Sequence, residues 1–124
     1  MIAADTSSMI AFLEGDNGED TDLIQSALDH RQLALPPVVL TELLSDPALP
    51  NRVRALLSAL PILDTEPGFW ERAGLLRASV LRQRKKARVA DALIAQSCLD
   101  QSSPLITRDR DFRHFATAAK LPLL

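Results

Sequence analysis

The chain is constrained most by an alternation. Apolar runs of strand length recur between longer segments whose apolar residues fall at helical spacing. Ile2-Ala3-Ala4, Leu33-Ala34-Leu35, Pro61-Ile62-Leu63 and Pro104-Leu105-Ile106 are the strand candidates, with Leu121 to Leu124 as a last, edge strand. Between them, Leu23, Ile24, Ala27 and Leu28 mark one helical face. Phe69, Ala73, Leu76 and Val80 mark a second, and Ala90, Leu93, Ile94 and Cys98 a third. Parallel strands need long crossovers, usually helical, and this spacing supplies them. The pattern predicts an α/β domain with a mostly parallel sheet flanked by helices. At 124 residues and 47% hydrophobic content, residues 1–124 read as a single domain with enough apolar material for a core.

Local signals set the expected boundaries. Ser7 or Ser8 is suited to cap a helix through Met9 to Leu13, which stops near Gly15. A second helix is expected over about 20–31. Pro36-Pro37 ends the second strand and suits the first turn of a helix over 38–45, which carries Glu42. Asn51 is the expected cap of a helix through Leu60. Longer helices are expected over 69–84 and 89–99, joined by a basic connection over 85–88.

Charge is unevenly distributed. Residues 1–66 carry 3 Lys/Arg against 11 Asp/Glu, and residues 67–124 carry 11 against 5. The asymmetry hints at a polyanion partner. The one cysteine, Cys98, rules out a disulfide framework within the chain and fits a reducing cytoplasm. The N-terminus has neither the basic region nor the apolar stretch of a secretion signal. The longest apolar run, Leu33 to Leu40, falls far short of the roughly 20 residues that span a bilayer, so no membrane is expected as a partner.

Acids follow two of the predicted strands: Asp5 after the first and Asp109 after the fourth. Ligands of open parallel sheets bind beyond the carboxyl ends of the strands. Asp91 and Glu42 sit within apolar helical segments, Val89-Ala90-Asp91-Ala92-Leu93-Ile94 and Val38-Val39-Leu40-Thr41-Glu42-Leu43. Each acid also has a simpler role: Asp5 as a helix cap, Asp91 as a helix-start charge, Glu42 in an ion pair, Asp109 and Asp111 as turn residues. Crowded carboxylates repel one another, and a divalent ion reverses that balance. Oxygen ligands suit Mg²⁺ or Mn²⁺, and no Cys/His spacing supports zinc.

The blocks Ile2-Ala3-Ala4-Asp5-Thr6-Ser7-Ser8, Thr41-Glu42-Leu43, Val89 to Ala95, and Leu105-Ile106-Thr107-Arg108-Asp109-Arg110-Asp111-Phe112 resemble the PIN domain. More narrowly, they resemble VapC-type toxins of bacterial toxin–antitoxin pairs. The resemblance runs from near residue 1 to Phe112, in the family's order. It implies a three-layer α/β fold with strand order 3-2-1-4-5 and Mg²⁺- or Mn²⁺-dependent cleavage of RNA. Asp5, Glu42, Asp91 and Asp109 fall at its acidic metal-site positions, and Asp111 at an additional acidic position. Ser7 and Thr107 match supporting hydroxyl residues. It further implies a cognate antitoxin that covers the acidic groove with an inserted basic side chain, and a homodimer.

Arg82, Arg84, Lys85, Lys86 and Arg88 precede the Asp91 helix and are candidate phosphate contacts, as are Arg108 and Arg110 beside Asp109. A solvated helix end and local salt bridges are the simpler roles. With no Tyr and few aromatics, a base-stacking platform is poorly supported. His30, His114, Cys98 and Trp70 read as isolated or packing residues. A receiver-like signalling domain is the rival reading. It would need an acidic pair after the first strand, where Ala4-Asp5 offers one acid, and Lys120 precedes the last strand rather than following it. A catalytically silent PIN-like binding module is the other alternative, against which the full acid set argues.

Overall fold

The computed structural model describes residues 1–124. In chain order the elements are β1 (Ile2–Ala4), α1 (Thr6–Leu13), α2 (Glu19–Asp29), β2 (Leu33–Ala34) and α3 (Pro37–Leu44). Then come α4 (Asn51–Ala59), α5 (Phe69–Arg82), α6 (Val89–Asp100), β3 (Leu105–Ile106) and α7 (Phe112–Ala119).

The sheet runs β2-β1-β3, with both pairings parallel. Ile2 pairs with Leu33 and Ala3 with Ala34 on one side; on the other, Ala3 pairs with Leu105 and Ala4 with Ile106. Successive strand residues point to opposite faces. Ala3, Ala4, Leu33, Ala34, Leu105 and Ile106 are nonetheless all buried, so both faces of the sheet are covered. That accounts for apolar runs without alternation, as expected of a parallel sheet sandwiched between helices.

The outer strand positions are occupied by single parallel bridges. Ile62 pairs with Leu35 beyond β2, and Leu123 pairs with Leu105 beyond β3. Each bridge is held by two backbone hydrogen bonds, from Leu35 N–H to Pro61 O and Leu63 N–H to Leu35 O, and from Leu105 N–H to Pro122 O and Leu124 N–H to Leu105 O. The spatial order Ile62, β2, β1, β3, Leu123 is the expected 3-2-1-4-5. The third and last strands shrink to bridges because Pro61 and Pro122 cannot donate to a ladder.

The local signals explain most boundaries and correct several. Pro36 precedes α3 and Pro37 is its first residue, as the prolines predict. Helix α1 starts earlier than expected: Asp5, not Ser7 or Ser8, is its cap, and the Asp5 side chain accepts from the Ser8 N–H. Asn51 is the first residue of α4 rather than its cap. Gly68 precedes α5 at φ +80°, a left-handed conformation that glycine adopts without Cβ strain. Helix α7 was not anticipated. Its signal is in the sequence: Phe112, Phe115, Ala116 and Ala119 fall at i, i+3, i+4 and i+7. No helix is long and apolar enough to cross a membrane.

Phe112 and Phe115 are among the largest fully buried side chains, with ring centroids 6.0 Å apart. Through them α7 docks on the core, directly after the loop that carries Asp109 and Asp111. Phe115→Ala should therefore cost about 3–5 kcal/mol of stability in urea unfolding. A loss below about 1 kcal/mol would show that α7 contributes little to the core.

Candidate functional site

The C-terminal ends of β1 and β3 lie side by side, joined by the Asp5 N–H donating to Ile106 O at 3.1 Å. Asp5 and Thr107 thus emerge from the sheet together. Asp5 is only 2% exposed. Its carboxylate accepts from Ser8 N–H at 2.9 Å, from Ser7 Oγ at 3.0 and 3.1 Å, and from the Thr107 hydroxyl. Burial pushes the Asp5 carboxyl up from its ordinary pKa, against the opposing effect of these donors.

Thr107 has a second task. Its Oγ1 accepts from the Asp109 N–H at 2.9 Å while donating to Asp5. One hydroxyl therefore sets the spacing between the first acid and the last. Asp109 in turn accepts from the Asp111 N–H at 2.9 Å, an Asx-type turn that leads into α7. The simpler roles weighed for Asp5 and Asp109, cap and turn residue, are both real, and the same side chains face the cleft.

That cleft has a volume of about 220 Å³, and Asp5, Glu42, Asp91 and Asp109 all line it. Glu42 arrives from α3 and accepts from Thr6 Oγ1 at 2.6 Å. Asp91 arrives from the first turn of α6. Burial pushes its carboxyl up to about 6; the Asp109 charge adds to the rise, as do Asp5 and Glu42, while Arg88 opposes it. A carboxylate in the first turn of a helix is normally favoured in its charged form. Here burial and three neighbouring acids outweigh the helix.

None of these four acids has a Lys or Arg within salt-bridge distance. Nor do any three His, Cys, Asp or Glu side chains converge tightly enough to form a ready-made metal cage. The hydrogen bonds explain why. Asp5 turns to Ser7, Ser8 and Thr107, Glu42 to Thr6, and Asp109 to the Asp111 N–H. Asp5, Glu42 and Asp109 are each held by a hydroxyl or backbone donor, and Asp91 by none.

The remaining predicted site residues divide. Ser7 and Arg88 line the cleft with the acids. Asp111 is not among its lining residues; its carboxylate lies 3.7 Å from Lys86 Nζ. Arg108 is drawn off as well. It forks onto Asp20 at 2.8 and 3.1 Å and lies 3.8 Å from Asp16. The Arg108 guanidinium holds the Asp20 carboxyl down at about 2. Arg84, Lys85 and Arg110 are exposed. Two contributors escaped the sequence reading: Thr6, which holds Glu42, and Asp20, which holds Arg108. Their pairings span 36 and 88 residues, so no local spacing signals them.

Among protein families, the model described as PIN domain matches residues 2–118. No curated protein matches the sequence. Among solved structures, the chain is similar to VapBC2 from Rickettsia felis bound to a DNA fragment from its promoter. That similarity is 21% identity with a TM-score of 0.73, over 100% of this chain and 98% of the other. FitAcB from Neisseria gonorrhoeae matches at 20% identity and a TM-score of 0.70, over 100% and 96%. VapBC-5 from Mycobacterium tuberculosis, a member of the VapBC family of toxin–antitoxin systems, matches at 23% identity and 0.67, over 99% and 96%. At these identities the structural likeness speaks for the fold.

The Asp91 environment has a consequence for stability. Between about pH 4 and 6 the folded chain keeps a proton on Asp91 that the unfolded chain has released. Its contribution is thus fully present below about pH 4 and is lost as pH rises through 6. In EDTA, the stability difference between wild type and Asp91→Asn should shift by about 1–3 kcal/mol between pH 4 and 7, to the disadvantage of the wild type. Parallel pH profiles in urea unfolding would show that burial and the neighbouring acids do not act on Asp91.

Proposed function

This chain belongs to the PIN-domain family, and on that premise we propose that it is a Mg²⁺- or Mn²⁺-dependent endoribonuclease of the cytoplasm, a single PIN-like domain that serves as the toxin of a type II toxin–antitoxin pair. The observation that carries this reading is the cleft itself: four carboxylates on one concavity, none in a salt bridge, with Arg88 the one basic residue that lines it. A receiver-like domain has no support from the family match.

The donor set fits the ion. All four acids offer hard oxygen ligands, and Mg²⁺ needs only a few carboxylates because it keeps several waters. The loose convergence of the acids is compatible with that habit. Asp5 and Asp91 would hold the ion, with Glu42 and Asp109 acting directly or through water. When bound, a divalent ion supplies charge neutralisation at a phosphate and lowers the pKa of water. The chain's own residues do the rest. Thr107 and Ser7 orient Asp5, and Thr107 also fixes Asp109. Thr6 steadies Glu42. Arg88, at the rim of the cleft, is suited to grip a substrate phosphate, and Arg84 and Lys85 extend the basic edge. Asp111 would join the ion-binding acids, and Arg108 a phosphate, only by exchanging their present partners Lys86, Asp20 and Asp16.

Two apolar features support the partners. A groove of about 370 Å³, walled by Leu13, Leu43, Leu49 and Val53, shares Ile10 and Glu42 with the acidic cleft. An antitoxin segment lying there would reach the acids with a basic side chain. The similar solved structures are toxin–antitoxin complexes, which accords with such a partner. Trp70, Leu81 and Val89, which line one depression between α5 and α6, are 45–67% exposed and favour a homodimer.

Purified protein should cut single-stranded RNA when Mn²⁺ or Mg²⁺ is added, and EDTA should stop it. Asp5→Asn and Asp91→Asn should each lower kcat by at least about 100-fold. Mn²⁺ should raise the Tm of the wild type but not of Asp91→Asn. EDTA-sensitive cleavage retained in both variants would defeat the mechanism.

A further inference from the structure

The acidic cleft has a basic neighbour. A second depression, of about 190 Å³, is bordered by Thr107, Asp109, Arg110, Arg113 and Leu123. Asp109 is a common wall: it lines this depression and the acidic cleft alike. Leu123 pairs beside Leu105 at the edge of the sheet, so both depressions open at the carboxyl ends of the parallel strands. Ligands of such sheets bind at that edge.

Arg108 also borders the depression, but its guanidinium is committed to Asp20 and Asp16. Arg110 and Arg113 are exposed, and neither has a carboxylate partner. The Arg113 N–H donates to Arg110 O at 3.0 Å, which sets the two residues one turn apart. Residues three apart on a helical turn share a face. Two free guanidinium groups therefore stand on one side of Asp109, with the acids on the other.

The chemistry selects the ligand. A phosphodiester approaching four carboxylates is repelled, so a strand held there needs cations beside the cleft. Guanidinium forks match phosphate oxygens in pairs. We propose that Arg110 and Arg113 form a phosphate subsite that grips the RNA phosphate next to the one being cut. This rests on the nuclease reading of the cleft. A strand with its scissile phosphate over Asp5 and Asp91 would cross Asp109 to bring its neighbouring phosphate to the two arginines.

The test uses a synthetic single-stranded RNA on which the cleavage position has been mapped. The double variant Arg110→Ala/Arg113→Ala should raise KM about tenfold with kcat nearly unchanged, and should flatten the dependence of log KM on log salt by about 0.7. Arg110→Lys/Arg113→Lys should restore the salt slope. Replacing one linkage adjacent to the scissile one with a neutral methylphosphonate should reproduce the rise in KM in the wild type. The same replacement should cost the double alanine variant nothing further. Unchanged KM and slope in that variant, with cleavage intact, would overturn the subsite and leave the nuclease reading standing. Fluorescence anisotropy of the same RNA separates the two ideas. Binding without cleavage, weakened about tenfold by the alanine pair, would keep the subsite and remove the nuclease chemistry. Equal affinity of wild type and variant would overturn the subsite.

Discussion

The arrangement depends on one hydroxyl. Thr107 Oγ1 donates to the Asp5 carboxylate and accepts from the Asp109 N–H. It thereby ties the end of β1 to the end of β3 and to the loop that leads into α7. Asp5 at the same time caps α1 through the Ser8 N–H. Four features meet at this one carboxylate: two strand ends, a helix start and a cleft wall. A helix cap and a site acid are often treated as rival explanations. Here they are the same geometry, because a carboxylate rigid enough to cap a helix is also held still enough to face a ligand.

This rigidity is gained against electrostatics. Asp5 is nearly fully buried and Asp91 half-buried, and both carboxyls are pushed upward in pKa. Burying a charge without a counter-ion is unfavourable, and proteins usually pair such groups. This chain pairs its acids elsewhere: Asp20 and Asp16 take Arg108, Asp100 takes Arg72, and Asp111 takes Lys86. None of the four cleft acids has such a partner. The contrast is local, since Asp109 and Asp111 are two residues apart and only Asp111 has a lysine.

The strands and most helices were legible because each is announced locally. Pro36-Pro37 sets the start of α3 as surely as any packing does, and apolar runs such as Leu33-Ala34-Leu35 mark a buried parallel sheet. The acids were legible for a related reason: Asp5 and Asp109 follow strands, and Asp91 and Glu42 interrupt apolar helices. What stayed hidden was decided by tertiary contact. In sequence Arg108 is open to a phosphate or a salt bridge, and Asp20, 88 residues away, decides for the salt bridge. Glu42 gave no hint of Thr6. The outer strands are shorter than their apolar runs suggest because an apolar pair beside proline can close one bridge and no more. Helix α7 falls outside the expected elements, although its phenylalanines carry the right period.

The charge asymmetry of the chain takes on a different meaning once folded. An acidic first half and a basic second half suggest two opposed faces, but the cleft mixes them. Asp5 and Glu42 come from the acidic half, Asp91 and Asp109 from the basic one. The basic half also delivers Arg88 to the rim of the cleft and Arg110 and Arg113 to the depression beyond Asp109. A net charge of −2 therefore conceals a steep local field, negative inside the cleft and positive along its border. A lone cation would satisfy only the interior, and a lone anion only the border. A polyanion arriving with divalent cations would satisfy both, because the ion would neutralise the acids while neighbouring phosphates met the arginines.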